Sequence, residues 1–332
     1  MQRVALRVLW PLRSHQGTRQ QSSTAVNLLG TPLPELTQLV HDGAGLPAFR
    51  AEQIFHEVHK QGNTQLGGMQ SLSKKVVAKL EASNLTVQGA EPIVEQRSVD
   101  GTRKWLLRLP PSKKGAQDEV ETVWIPSKGS RTLCVSSQVG CTLACTFCHT
   151  GTQALQRNLS SSDIVAQVLA SQAALRSEAT SAPAALEALS QAAHVSHKAF
   201  LARPVGNVVF MGQGEPLYNW RAVKGAISLL THPQGYGMSR RRVTISTSGL
   251  APIIPRIAAE TGASLAISLH SAIDEVRSRI MGVNDKWPLA QLKEAIKEYI
   301  SKYTVAPLAL QYPPHTCRLR CSHPAQRAGR EG

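Results

Sequence analysis

Between Asn27 and about Leu85 the apolar positions recur at helical spacing. "TPLPELTQLVHDG" opens on a Thr-Pro start signal and stops at Asp42-Gly43, while "FRAEQIFHEVHKQG" sets Phe49, Ile54, Phe55 and Val58 along one side before Gly62. "SLSKKVVAKLEASN" predicts a third helix with Ser71 or Ser73 as its N-cap. The period then falls to two. "EPIVEQRSVDGTRKWLLRLP" predicts a hairpin turning at Asp100-Gly101, and "DEVETVWIP" a further strand.

Beyond Leu133 strands and helices alternate. The strands are expected in "TLCVSS", "NVVFMG", "RRVTISTS" and "SLAISLH". Helices are expected after Ser162, after Asn219, around "PIIPRIAAETG" and in "PLAQLKEAIKEYISKY". Strongly apolar strands between helical patterns predict parallel βαβ units with one sheet face covered by helices. The Ala/Ser-rich "SEATSAPAALEALSQAAHVSHKAFLARP" breaks the rhythm and reads as an inserted loop or a marginal surface helix. After Tyr303 the chain carries four prolines, no acid until Glu331 and no periodicity past Leu310, so it reads as a tail outside the fold. The pattern thus divides the chain into a leader (1–26), a helical domain (27–90), a β-hairpin connector (91–132), an α/β core (133–303) and a tail (304–332).

With 332 residues, 42% hydrophobic and 18% charged, the chain can bury a sizeable core and is neither fibrous nor wholly disordered. No apolar run approaches the roughly 20 residues of a membrane span, so a soluble protein without a membrane partner is expected, as a monomer. Its 37 Lys+Arg against 22 Asp+Glu give +15, a field that favours polyanions and nucleic acid first among them. Arg240 to Arg242 are candidate RNA contacts or a solvated strand entrance. Part of the charge lies in the leader, where Arg3, Arg7, Arg13 and Arg19 precede the first acid, Glu35. An Arg-rich, acid-free, Ser/Thr-containing start resembles a mitochondrial transit peptide, so a mitochondrial location is expected and a cytoplasmic one otherwise; the alternative is a basic arm that grips RNA.

Four of the six cysteines fall between Cys134 and Cys148, which points to metal or redox chemistry in a reducing compartment rather than a disulfide scaffold. Cys141, Cys145 and Cys148 in "VSSQVGCTLACTFCHTG" follow a C-x3-C-x2-C spacing. Three thiolates are too few for a closed zinc site and too many for a dithiol switch. They suit a [4Fe-4S] cube with one iron left free for the amino and carboxylate groups of S-adenosylmethionine (SAM). Zinc with an outside ligand such as His149, or plain buried cysteines, are the alternatives.

"CVSSQVGCTLACTFCHTG", followed by "FMGQGEPLYNW", "RRVTISTSGLAPIIPRIA" and "LAISLHSAIDEVRSRIMGVNDKWPL", resembles the radical-SAM RNA methyltransferases that place a methyl group on carbon 2 of adenine in large-subunit rRNA and some tRNAs. The likeness runs from about Asn27 to Tyr303. It implies an α/β fold, a partial (β/α) TIM-like barrel of radical-SAM type, with a small N-terminal helical domain that binds RNA and a β-hairpin. It implies a SAM-dependent methyltransferase with a [4Fe-4S] cluster on Cys141, Cys145 and Cys148. SAM would be held by Gly214 and Glu215 in "MGQGEPL", by Ser246 in "STSG", and by Ser268, Leu269 and His270 in "SLH". Glu121 would be the proton acceptor, and Cys134 the thiol that resolves a covalent protein–RNA adduct. The partners implied are RNA and an electron-donating reductase or ferredoxin-type protein.

The family's second, methyl-carrying cysteine follows two further βα units near its C-terminus. Here "TVAPLALQYPPHTCRLRCSHPAQ" stands instead of a fifth strand, and neither Cys317 nor Cys321 has the family's glycine-flanked setting. His315, Cys317, Cys321 and His323 could be read as zinc ligands, but no core pattern surrounds them. The barrel is therefore expected to be incomplete at its C-terminus, with four strands, an exposed edge at "SLAISLH" and reduced solubility. A chain of this kind is expected to bind cluster and SAM without completing methyl transfer; the alternative is a non-catalytic variant that binds RNA or competes with the intact enzyme.

Overall fold

A computed structural model of the chain describes residues 25–111, 118–302 and the backbone of 308–311. Its centre is one eight-stranded sheet whose spatial order follows the chain: β1 (Glu91–Arg97), β2 (Arg103–Arg108), β3 (Glu119–Ser127), β4 (Ser130–Cys134), β5 (Asn207–Phe210), β6 (Val243–Thr247), β7 (Ser264–Ser268) and β8 (Leu308–Gln311). β1 to β4 pair antiparallel and β4 to β8 pair parallel. The segment expected to be a separate connector is therefore continuous with the core sheet. Its hairpin turns where the sequence places it, with Gly101 at φ +84° and Thr102 N donating to Asp100 Oδ1 at 2.9 Å.

Helices α4 (Ser161–Ser181), α5 (Pro183–Ala192) and α6 (His197–Ala202) connect β4 to β5. α7 (Trp220–Thr231) and α8 (Ile254–Thr261) make the next two crossovers. α9 (Asp274–Ile280), α10 (Val283–Lys286) and α11 (Leu289–Ser301) precede β8. Leu133, Val208, Phe210, Ile245, Leu265 and Ile267 share one face by register and are at most 2% exposed. That apolar face is what the helices cover. The other face carries Cys134 opposite Val209, then Ser246 opposite Ala266, and Ser268 two residues on. Val123 is paired with Cys134, so Glu121, two residues away on β3, lies on this second face as well.

Two expectations are corrected, and an open alternative is decided. A fifth parallel strand exists: β8 runs beside β7 from Leu265↔Leu308 to Ser268↔Gln311, so the core passes Tyr303 and β7 is not an open edge. The open edge moves to β8, the outermost strand among the described residues. "LALQ" is too short for its alternation to register, and prolines flank it. Of the two readings of the Ala/Ser-rich stretch the helical one holds: it forms the end of α4, then α5, which buries only Leu189 and Ser190, and α6. Ser160 and Asp163 form a capping box, Pro183 starts α5, and Ser196 caps α6. α4 is buried on all sides from Asp163 to Gln172, which is why no polar stripe marks it. Finally, Ile54, Phe55 and Val58 are buried as expected, but Phe49 is exposed, with the Arg50 guanidinium 4.7 Å from its ring centroid.

The N-terminal helices α1 (Leu33–Gln38), α2 (Phe49–His56) and α3 (Lys74–Ala82) dock onto the barrel at two places. Gly30 presses on the start of α4, where a β-carbon would lie 2.1 Å from Ser162 Oγ. His59, 3% exposed, sits 4.4 Å from the Phe55 ring, which meets His232 just past α7 at 4.9 Å. Burial, and secondarily His232, push the His59 pKa down to about 4. Below pH 6.5 the unfolded chain takes a proton that folded His59 refuses, so stability falls as pH drops towards 4. The difference from 6.5 is worth ~3 kcal/mol. Urea unfolding at pH 7 and pH 4.5 should show this loss in the parent and a flatter profile in His59→Phe; equal losses in both would remove His59 as the acid-sensitive contact.

Candidate active site

The loop after β4 is shaped by backbone. Cys141 N donates to Gln153 O at 3.2 Å, Cys148 N to Cys145 O at 3.1 Å, and Gly151 N to Cys148 O at 3.0 Å. Thr146 N reaches Ile280 O at the end of α9, at 3.1 Å. Two glycines make this wrapping possible. Gly140 has φ +75° and a β-carbon there would lie 2.2 Å from Ala154 O, while one on Gly151 would lie 2.7 Å from Cys145 O.

The three thiols line one cavity of about 150 Å³ with Gly214, Glu215, Ser246, Ser268 and His270, at the C-terminal ends of β5, β6 and β7. This is the edge where parallel α/β sheets gather ligands. A cleft of about 530 Å³ between α2 and Pro233–Gln234 is larger but holds none of the thiols. Cys134, Cys141, Cys145 and Cys148 are all free. Burial raises the Cys141 thiol above the usual range and takes Cys145 to about 11, with the neighbouring thiols and Glu215 adding to the shift. Among the described residues no three His, Cys, Asp or Glu side chains converge on a single ion. A cube presents a separate iron to each thiolate, so thiols spread around a cavity fit a cluster better than a lone zinc.

Opposite the thiols, Gly214 turns at φ +93°, and a β-carbon there would lie 2.5 Å from Gln138 Cβ. Gln138 Oε1 accepts from Glu215 N at 2.9 Å, and Gln138 Nε2 donates to Asn158 Oδ1 at 2.7 Å, so the cysteine loop and the Gly214 turn are tied together. Glu215 is 2% exposed. Its carboxylate accepts from Leu217 N at 3.1 Å and Ser248 N at 2.8 Å. Burial raises its pKa and those backbone bonds oppose the rise, which leaves a desolvated carboxylate at the wall of the cavity, suited to a cation. Ser246 Oγ and Ser268 Oγ lie 3.4 Å apart. His270 holds φ +58°, stacks on Phe147 at 4.3 Å, and keeps a buried Nδ1 without a partner. Burial, then Arg277, lower its pKa, so its imidazole is neutral. Leu269 contributes its carbonyl to Arg277.

Arg277 has no signal in the sequence, where it stands beside Arg279 in "DEVRSRI" as an ordinary cation. It is fully buried, and donates from Nε to Leu269 O at 3.1 Å, from Nη1 to Asn284 Oδ1 at 2.6 Å, and from Nη2 to the carbonyls of Ser248 and Ser268. One guanidinium therefore joins the loops after β6 and β7.

Glu121 and Cys134 share the inner sheet face but do not line the cavity. Glu121 is half exposed and pairs with Lys104 at 2.9 Å. Burial pushes Cys134 up to about 11, and a backbone bond to Met211, which lines the cavity, opposes it. Arg240 to Arg242 are exposed and stand before β6, at the opposite end of the strands from the cavity. Cys317, Cys321, His315, His323 and the leader lie outside the described residues.

A family model described as the Radical SAM superfamily matches residues 135–309, and one described as the ribosomal RNA large subunit methyltransferase N-terminal domain matches 26–85. The chain is 43% identical to the dual-specificity RNA methyltransferase RlmN of Rhodospirillum rubrum, covering 88% of this chain and 63% of that protein. The RlmN of Rhodopseudomonas palustris is also 43% identical, with 86% and 69% covered, and that of Parvibaculum lavamentivorans 45% identical, with 77% and 61% covered. A crystal structure of a radical SAM methyltransferase from Sphaerobacter thermophilus superposes with a TM-score of 0.70 at 33% identity, over 86% of this chain and 76% of that one. The chain belongs to the radical SAM superfamily and, within it, to the RlmN-like methyltransferases. A [4Fe-4S] cluster and SAM are the cofactors this membership implies, and the residues of the cavity fit them. The chain spans about 61 to 69% of the length of these three RlmN relatives.

Replacing Arg277 with Gln would strip donors from three carbonyls in a dry site, a loss of ~3 kcal/mol. Arg277→Lys should recover less than half, because a point-like ammonium cannot serve carbonyls on two loops. Denaturant midpoints measure both; an Arg277→Gln chain as stable as the parent would contradict the assignment.

Proposed function

We propose that this chain carries the cofactor-binding machinery of an RNA methyltransferase directed at carbon 2 of adenine in large-subunit rRNA and tRNA. The observation that supports it most is the meeting, in one small cavity at the C-terminal strand ends, of three free thiols with a desolvated carboxylate and an unpartnered imidazole nitrogen. Cys141, Cys145 and Cys148 would hold three irons of the cluster. When bound, the cluster supplies the single electron that splits SAM. Glu215 takes the ammonium of SAM, a charge pairing strengthened by the low polarity around it. The Gly214 turn lets the main chain approach the ligand closely. Ser246, Ser268, Leu269 and His270 fix SAM from the β6 and β7 ends, and the neutral His270 ring offers its free nitrogen without adding a second positive charge beside a sulfonium.

In a complete methyl transfer Glu121 would accept the proton released from the adenine ring, and Cys134 would resolve the adduct. A thiol held near pKa 11 is protonated until it meets its partner sulfur, which guards it from premature reaction. The +15 charge favours RNA, and an electron-donating reductase or ferredoxin-type protein completes the partners. The Arg-rich start gives the protein a mitochondrial address in this reading. Cys317 and Cys321 do not take the methyl-carrying role, so these 332 residues by themselves cleave SAM without delivering a methyl group.

Anaerobic reconstitution with iron and sulfide, then dithionite and SAM, should release 5′-deoxyadenosine. Glu215→Gln should lower that yield at sub-saturating SAM by about tenfold or more, the worth of one buried charged hydrogen bond. Mass spectrometry of added rRNA fragments should show no new methyl. Cluster assembly without any 5′-deoxyadenosine would contradict the reading of the cavity. A methylated adenine would contradict the reading of Cys317 and Cys321.

A further inference from the structure

A second cluster of unusual chemistry lies at the other end of the barrel. Arg131 on β4 points to the helix-covered face, the face of Leu133, and is 8% exposed. Its Nε and Nη1 are buried and have no hydrogen-bond partner. The guanidinium lies against Gly206, where a β-carbon would come within 3.3 Å of both Nε and Nη2, and Gly206 N donates to Arg131 O at 2.8 Å. Burial, and then the charge of Arg242 followed by that of Arg203, disfavour its protonated form. Arg242 reaches Gly206 O at 3.5 Å and Asn207 Oδ1 at 3.4 Å. Arg203, after α6, donates to Tyr236 O at 3.1 Å and Gly237 O at 3.3 Å and lies 5.5 Å from the Tyr236 ring centroid. Arg176, which Tyr236 influences electrostatically, is also disfavoured as a cation by burial. None of these four arginines forms an ion pair with a carboxylate among the described residues.

A guanidinium does not give up its proton, so a buried one without an anion leaves a desolvated charge that costs several kcal/mol. Elsewhere in this protein buried arginines are matched: Arg103 by Glu178 and Glu95, and Arg277 by four acceptors. Arg131, alone of these three, has neither a carboxylate partner nor an acceptor for its buried Nε and Nη1. A tetrahedral oxyanion is the natural complement, because the guanidinium fork meets two of its oxygens at once and the exposed Arg242 can close on a third.

We propose that Arg131, Arg203 and Arg242 form a phosphate-binding site at the N-terminal ends of β4, β5 and β6, separate from the thiol cavity. Its ligand is a phosphate group, either one from the backbone of bound RNA or the free inorganic ion. The assignment does not depend on the proposed methyl transfer.

Thermal unfolding of the full 332-residue chain in inorganic phosphate and in chloride at matched ionic strength tests it. Phosphate stabilises any protein somewhat by exclusion from its surface, so the readout is the difference between parent and Arg131→Met. The parent should gain about 2 °C or more over that variant in phosphate. In chloride Arg131→Met should be as stable as the parent or more so, since it removes an uncompensated charge. Arg242→Gln, an exposed change that leaves the core intact, should lose part of the phosphate gain. Binding of a short single-stranded RNA across a salt series then identifies the source. A slope lowered by about 0.7 in Arg242→Gln assigns the site to an RNA phosphate, and an unchanged slope assigns it to the free ion. An equal phosphate response in parent and Arg131→Met overturns the proposal.

Discussion

One constraint governs the rest: every parallel strand from β4 to β7 must bury one face against helices, and the period of two then sends all remaining chemistry to the other. Leu133, Val208, Ile245 and Leu265 fix the buried face at no more than 0% exposure, and the ladder carries that choice from strand to strand without slippage. Shifting β4, β6 or β7 by one residue would bury Cys134, Ser246 or Ser268 under helices and turn leucine or isoleucine to the barrel. The positions of Glu121, Cys134, Ser246 and Ser268 on a single surface are thus a by-product of hydrophobic burial.

Strand ends supply the other half of the site. Where the sheet stops, the loops carrying Cys141, Gly214, Ser248 and His270 must be held without regular pairing. Gln138 ties the first two of these loops together, and Arg277 ties the last two. The site is framed by a buried acid, Glu215, and a buried cation, Arg277, that do not pair with each other; both hold main-chain groups of neighbouring loops, and Arg277 also holds Asn284. That leaves the polar groups of the cavity wall held in place before any ligand arrives, the condition under which electrostatic contacts are strongest.

The sequence made visible whatever depends on residue type at short range. Three cysteines in eight positions, the Gly214 turn, the Asp100-Gly101 hairpin and the apolar strands all announce themselves locally. Arg277 could not be seen, because its partners are main-chain carbonyls brought from two distant loops. Arg131 was hidden for a similar reason: its guanidinium lies against Gly206, far along the chain, and a lone arginine in a strand carries no mark of it. α4 was legible as the helix after Ser162, whereas α5 and α6 could not be told from a loop because their Ala/Ser-rich stretch carries little apolar periodicity. β8 was too short, and its pairing is with a strand more than forty residues earlier.

All of this rests on Cys141, Cys145 and Cys148 acting together as ligands of one iron–sulfur cube whose remaining iron is left to SAM. Metal and acid-labile sulfide analysis of the anaerobically purified chain is the most direct test. The account predicts ~4 irons and ~4 sulfides per chain, lost when any of the three cysteines is changed to Ala and kept when Cys134 is changed. Zinc in their place, no metal at all, or a full cluster in the Cys145→Ala chain would contradict it.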